Sequence, residues 1–194
     1  MAFSVNEFRQ QLSAGGARPS LFEVELTAPA ALTNTTALNN FKFFCKIAQL
    51  PESTFGVVEV PYFGRKVKVA GDRVFNELSL TIINDEDYEI YNAHERWMHN
   101  IALHQQETQM RAAELGADDY LGSAVIRQFA KTGEVIKQIN VVNMFPTTLG
   151  AVDLSWETTD TIMEFAVTYQ YDWWESDQSG GGQSTSGLNI NISL

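Results

Sequence analysis

Ile162-Met163-Glu164-Phe165-Ala166-Val167-Thr168-Tyr169-Gln170-Tyr171-Asp172-Trp173 is the stretch on which the fold turns. Met163, Phe165, Val167, Tyr169, Tyr171 and Trp173 share one face of an extended chain, and Ile162, Glu164, Ala166, Thr168, Gln170 and Asp172 share the other. Successive side chains of a strand point to opposite faces, so this alternation is that of a half-buried β-strand. Its length favours a barrel or sandwich over a small edge. The aromatics Tyr169, Tyr171 and Trp173 could stack on a sugar, but on one face of an alternating strand they read as core.

The same period recurs upstream. Phe22, Val24 and Leu26 alternate with Glu23 and Glu25, and Phe41, Phe43, Cys45 and Ile47 with Lys42 and Lys46. Arg65 to Val69, Leu78 to Ile82, Val125 to Phe129, Val135 to Val141 and Val152 to Trp156 alternate too. Ala70-Gly71-Asp72-Arg73 and Lys131-Thr132-Gly133 read as turns and Pro146 as a loop residue. One helix interrupts the strands. Asn84 can cap it, Asp85, Glu86, Asp87 and Glu89 suit its positive end, and Ile90, Tyr91, Trp97, Met98, Ile101 and Ala102 give an apolar face as far as about Gln106. Such a helix covers one face of a sheet. Residues 107–122 read as a polar loop and 28–40 as a polar loop or hairpin tip.

The ends differ in character. Residues 1–20 form an N-terminal arm, with Val5, Phe8 and Leu12 at helical spacing before Gly15-Gly16. Residues 21–175 form the β domain, and 176–194 a Ser/Gly-rich extension. The extension ends in Leu188 to Ile192, a minimal strand suited to augmenting a sheet edge.

The chain has 194 residues, 44% of them hydrophobic, enough for one sizeable core. Its 13 Lys and Arg against 24 Asp and Glu leave a net charge of −11. A protein that grips nucleic acid or an anionic membrane would carry the opposite sign. The charge is uneven. No base follows Lys137, whereas Arg65, Lys66, Lys68 and Arg73 crowd together with only Asp72 between them. Such a cluster can bind an anion or pair with acids of this chain or of an identical neighbour.

No catalytic pattern stands out. Cys45 is the single cysteine, so no internal disulfide or cysteine zinc site is expected, and the thiol reads as a small core hydrophobe. His94-Glu95 with His99 resembles a zinc-protease motif, but residues five apart lie roughly 140° apart around a helix and cannot grip one metal. No P-loop, nucleophile elbow or dinucleotide fingerprint occurs. No cofactor, metal or catalytic residue is therefore expected, nor any membrane span, and synthesis is expected in the cytosol.

At Arg65-Lys66-Val67-Lys68-Val69-Ala70-Gly71-Asp72-Arg73-Val74-Phe75 the sequence resembles the tail tube proteins of contractile-tailed (T4-like) bacteriophages. The resemblance extends over about 17–175. It includes Ala17 to Phe22, Ile83 to Glu86, Ser123 to Ala130, Phe145 to Gly150, Leu154-Ser155-Trp156 and Tyr171 to Glu175, in order. Loop 28–40 and the extension depart from the family pattern.

The resemblance implies a mainly β fold of two packed antiparallel sheets, a barrel-like sandwich with one flanking α-helix. It implies hexameric rings stacked into a tube inside a sheath, with baseplate, tail terminator and tape-measure proteins as partners. DNA is then a non-specific cargo of the lumen, and the virion tail, assembled in the host bacterial cytoplasm, is the location. Phage-tail-like bacteriocins and type VI secretion machines use similar tubes and give the alternative reading. Given the tube that the resemblance implies, Arg65, Lys66, Lys68, Asp72 and Arg73 are expected at a subunit or ring contact, and Asp153 and Glu164 on an acidic lumen wall. The arm is expected to engage a neighbouring subunit, and the extension to clasp one or to lie on the outside. A carbohydrate-binding sandwich would instead need exposed aromatics, and a hydrolase a pocket with paired carboxylates.

Overall fold

The computed structural model describes residues 5–11, 15–29, 32, 38, 41–101 and 120–177. Its elements are α1 (Val5–Gln11), β1 (Phe22–Thr27), α2 (Phe41–Phe44), β2 (Cys45–Ala48), β3 (Ser53–Tyr62), β4 (Arg65–Phe75), β5 (Leu78–Ile83), α3 (Glu89–Ile101), β6 (Gly122–Phe129), β7 (Val135–Leu149), β8 (Glu164–Gln170) and β9 (Trp173–Asp177). Every strand pair is antiparallel.

β7 organises the fold because it belongs to two sheets. Its first part pairs with β6 and β9, and its second part, from Phe145, pairs with β8. One sheet runs β1-β6-β7-β9 and the other β7-β8-β5-β2. Their inner faces meet in one core. Val24, Leu26, Ile126, Ile139 and Val141 come from the first sheet, and Leu78, Leu80, Ile82, Phe165, Val167 and Tyr169 from the second. Each such side chain stabilises the fold by about 1.5–3 kcal/mol when fully buried. α3 lies over this core with Ile90, Ala93, His94 and Trp97 buried. Trp97 Nε1 donates to the carbonyl of Tyr120 at 2.8 Å. The expected mainly β fold of two packed antiparallel sheets with a flanking helix is what the chain adopts, as a sandwich rather than a closed barrel.

Five local expectations are corrected. The stretch 162–173 is not one strand: it breaks at Tyr171-Asp172, and the alternation inverts, so Trp173 is exposed while Trp174 packs on the core. The Phe41 to Ile47 stretch begins with a helical turn. This separates two residues that a strand would put on one face: Phe41 is fully buried against His94, and Phe43 projects outward with Lys42 Nζ 5.1 Å over its ring. Pro146 lies inside β7, tolerated because the register shifts between Pro146 and Thr148. Ala70 to Arg73 is not a turn but part of β4, where a bulge opposite Gly56 bends the ladder. Val152 to Trp156 forms no strand: it finds no partner ladder, Val152 packs partly buried against the core, and Asp153 to Trp156 stay exposed.

Asn84 does not cap the helix. The first helical bond runs from the Asn92 amide to the Tyr88 carbonyl, and the Asn84 amide donates to the carbonyl of Met163 at 2.8 Å. Leu12, the tip of loop 28–40, the helix beyond Ile101, most of loop 107–122 and the 188–192 strand lie outside the described residues.

Candidate assembly surfaces

A two-stranded hairpin is marginally stable alone in water. β3 and β4 pair only with each other, over nine registered positions from Ser53↔Phe75 to Tyr62↔Arg65. Between them, Phe63 (φ 43°) and Gly64 (φ 79°) are both left-handed, which is the two-residue turn whose twist matches a hairpin. The pairs Val58↔Val69, Val60↔Val67 and Tyr62↔Arg65 place four valines and a tyrosine on one face. These apolar side chains are 47–65% exposed, and Phe63 at the tip is 90% exposed. Water-facing apolar patches of this size mark interaction sites.

The opposite face carries Pro61↔Lys66 and Glu59↔Lys68. Lys66 Nζ pairs with Glu59 at 2.7 Å. Arg73 sits at the base of the hairpin rather than in its basic patch. Its guanidinium lies 4.8 Å from the Phe75 ring centroid, 5.3 Å from Trp174 and 5.7 Å from Phe55, and Nη2 donates to Ser53 Oγ at 3.0 Å. Arg65 and Lys68 have no ion-pair partner among the described residues. The five residues of the basic cluster thus lie on one hairpin in different settings, with Asp72 at the bulge.

The two lumen candidates also differ. Glu164, at the start of β8, pairs with Lys46 of β2. Asp153 is exposed in the connection between β7 and β8. This connection also exposes Glu157 and Asp160, with Leu154 78%, Ile162 70% and Trp156 fully open to solvent. Asp153, Glu157 and Asp160 have no ion pair among the described residues. On α1, Val5 and Phe8 are likewise more than half exposed.

The groups weighed for chemistry are used structurally. Burial pushes the Cys45 thiol up to about 12, which keeps it from acting as a nucleophile at neutral pH. His94 is fully buried. Its Nδ1–H donates to the Ile90 carbonyl at 2.7 Å, and its Nε2 accepts from the Tyr169 hydroxyl at 2.5 Å. Desolvation lowers it to about 4, against the weaker opposing effect of the backbone bond. Among the described residues, no cluster of His, Cys, Asp and Glu could hold a metal ion. No helix among them is long and apolar enough to cross a membrane.

Sequence reasoning missed the apolar hairpin face and the aromatic tip, although alternation of Val58, Val60 and Tyr62 with Glu59 and Pro61 was there to find. It also left His94 off the helix face, where its spacing from Ile90 and Trp97 places it inward.

Known proteins agree with this architecture. Residues 17–177 match the model of the phage tail tube protein family. The tail tube protein gp19 of Enterobacteria phage T4 is 33% identical over 161 residues, covering 82% of this chain and 91% of the relative. The tail tube protein of Serratia phage KSP90 is 26% identical over 178 residues, covering 91% and 98%. Among solved structures, a chain of the anti-feeding prophage baseplate shares the fold at a TM-score of 0.61 and 13% identity, covering 83% of this chain and 95% of that one. A chain of the sheath-tube complex of an extracellular contractile injection system does so at 0.56 and 16%, covering 91% and 99%. With its family match spanning residues 17–177, the chain belongs to the phage tail tube protein family.

Proposed function

We propose that six copies of this chain close into a ring and that the rings stack into the inner tube of a contractile phage tail. The observation that carries this reading is the β3–β4 hairpin, whose apolar face and tip stay exposed among the described residues of one copy. A neighbour that covers Val58, Val60, Tyr62, Val67 and Val69 would stabilise the hairpin as a third strand or a second layer stabilises any ribbon. Arg65, Lys66, Lys68, Asp72 and Arg73 belong to this joint. Arg73 holds its base, and Arg65 and Lys68 are the cations left to meet a neighbour.

The role is structural and non-catalytic. A sheath protein surrounds the tube, baseplate and terminator proteins bound its ends, and the tape-measure protein and then DNA occupy its bore. It is a part of the virion tail, assembled in the bacterial cytoplasm. Six chains of −11 bring −66 to each ring, so the bore wall is expected to be acid-rich. A like-charged wall offers phosphates no counter-charge, and DNA slides. Asp153 and Glu164 are the candidate wall residues, with Lys46 offsetting the second. The arm and the extension, much of which lies outside the described residues, are proposed to engage an adjacent subunit or, for the extension, to lie on the outside of the tube. The identity to phage tube proteins favours a phage tail over a bacteriocin or secretion tube.

Electron microscopy of the purified protein tests the assembly. Rings or tubes with an axial bore are expected, and a monodisperse monomer at millimolar concentration would refute it. A net-positive bore in a reconstruction would refute the acidic wall alone.

A further inference from the structure

Met163 stands just before β8 and is bonded to the β5–α3 link through both its backbone and its sulfur. Its carbonyl accepts from the Asn84 amide at 2.8 Å. Its Sδ accepts from the Tyr88 hydroxyl at 3.1 Å and from Asn84 Nδ2 at 3.5 Å. A thioether is a weak acceptor, so two donors on one sulfur forgo the stronger bonds an oxygen would offer. Tyr88 is also strained: its φ of 53° is left-handed, an outlier for a bulky side chain. Its carbonyl accepts the first helical bond of α3, from the Asn92 amide at 2.9 Å. The sulfur of Met163 thus holds a strained residue at the start of the helix.

That sulfur is within reach of solvent. Met163 is half-buried and lies on the wall shared by two open clefts of about 420 and 630 Å³. Trp156 and Glu164 line the first, and Phe44, Ile83 and Tyr88 the second. Met144, by contrast, is fully buried in the core. The two donors differ in freedom. Asn84 is buried, with its Oδ1 left without a donor, whereas Tyr88 is half-buried beside the second cleft and has room to move.

We propose that Met163 is a site of oxidative modification by hydrogen peroxide and that the Tyr88 hydroxyl gates it. A lone pair of the sulfur attacks one peroxide oxygen as the O–O bond breaks. An S–O bond forms and the sulfur gives up two electrons. The departing hydroxide takes the proton of the transferred oxygen and leaves as water, and the product is methionine sulfoxide. While Tyr88 donates to the sulfur, it engages a lone pair and covers the approach from the second cleft. Peroxide therefore reacts when the hydroxyl swings away. The new oxygen then fills the space that the hydroxyl occupied at 3.1 Å, so Tyr88 is displaced and the start of α3 loosens.

Treatment of the full-length chain with hydrogen peroxide, followed by peptide mass spectrometry, tests it. Met163 should be oxidised about tenfold faster than Met144, since susceptibility follows exposure. Tyr88→Phe should speed oxidation of Met163 several-fold and leave Met144 unchanged, because it removes the gate alone. Equal rates at the two sulfurs in wild type, or a Met163 rate that Tyr88→Phe does not raise, would overturn the proposal. Hydrogen exchange reads the consequence. After oxidation, the amides at the start of α3 should exchange several-fold faster in wild type, and no faster in a Met163→Leu chain treated in the same way. If Tyr88→Phe lowers the melting temperature and speeds both sulfurs together, this comparison decides. Equal exchange at α3 in oxidised wild type and treated Met163→Leu would overturn the proposal.

Discussion

Asn143 Nδ2 donates to Asp172 Oδ2 at 2.7 Å, at the point where the β7 ladder passes from one sheet to the other. Below it, Val142 opposes Trp173 in the first sheet, and beyond it Phe145 opposes Gln170 in the second. Asn143 is left-handed at φ 56°, a conformation Asn tolerates better than most residues. The side-chain bond and the backbone twist therefore make one corner. Asn143→Ala loses both and should destabilise by about 1–2 kcal/mol. Asn143→Gly keeps the twist and loses the bond, so its melting temperature should fall between those of wild type and the alanine variant. Equal melting of all three would show that the corner is fixed elsewhere.

The His94–Tyr169 bond ties α3 to β8 and makes stability depend on pH. His94 titrates near 4 in the fold, below its ordinary value of 6.5, because burial disfavours the charged ring. Above pH 6.5 the ring is neutral in folded and unfolded chains. As pH falls from 6.5 to about 4, only the unfolded chain takes up the proton, and stability drops by about 1.4 kcal/mol per unit. Below about 4 this contribution levels off, after a total on the order of 3 kcal/mol. Urea midpoints at pH 7.5 and 5 should show the loss in wild type and lack most of it in His94→Gln. Tyr169→Phe strands Nε2 without a donor and should cost about 1–3 kcal/mol at pH 7.5.

The sequence carries the sheets well and the corners poorly, for a physical reason. Leu78, Leu80 and Ile82, or Val24 and Leu26, alternate because one face of their strand meets a core, and period two survives any register. The break at Asp172 leaves no local mark: Tyr171-Asp172-Trp173-Trp174 continues the pattern, and the bonds that accompany the bend reach across to Val142 and Asn143, distant in sequence. Pro146 misled for the opposite reason, since a bulge supplied the tolerance its missing amide needed. Phe41 is legible as core but not as helical. The basic cluster was legible as a local concentration of charge, because charge density is read from neighbouring residues. Arg73's place on Trp174 was not, since the two are far apart in sequence. The resemblance carried the assembly, which no single-chain pattern contains.

Gly122, the first residue of β6, shows how closely α3 seats on the sandwich. A Cβ there would lie 2.6 Å from the Thr27 carbonyl oxygen and 2.7 Å from Trp97 Cη2. Neither the backbone of β1's last residue nor a fully buried indole can move aside freely. Gly122→Ala should therefore cost on the order of 1–3 kcal/mol, read as a lower urea midpoint. Trp97→Phe in the same chain should recover part of it by vacating that space, a coupling that a double-mutant cycle measures.

Arg73 fixes the hairpin to the body of the domain. Its guanidinium stacks among Phe55, Phe75 and Trp174, so it joins both hairpin strands to β9. Only the base of the hairpin is held in this way, because every residue from Thr54 to Tyr62 is exposed. Cation–π contacts of this kind contribute about 0.5–2 kcal/mol, small for the domain but large for a two-stranded ribbon. Arg73→Ala should leave global melting nearly unchanged while speeding hydrogen exchange across 53–75 in unassembled protein several-fold. Arg73→Lys should recover little, because an ammonium does not stack as a planar guanidinium does. Unchanged exchange in Arg73→Ala would mean that the hairpin is held by its own ladder, and that its orientation before assembly does not depend on the aromatic base.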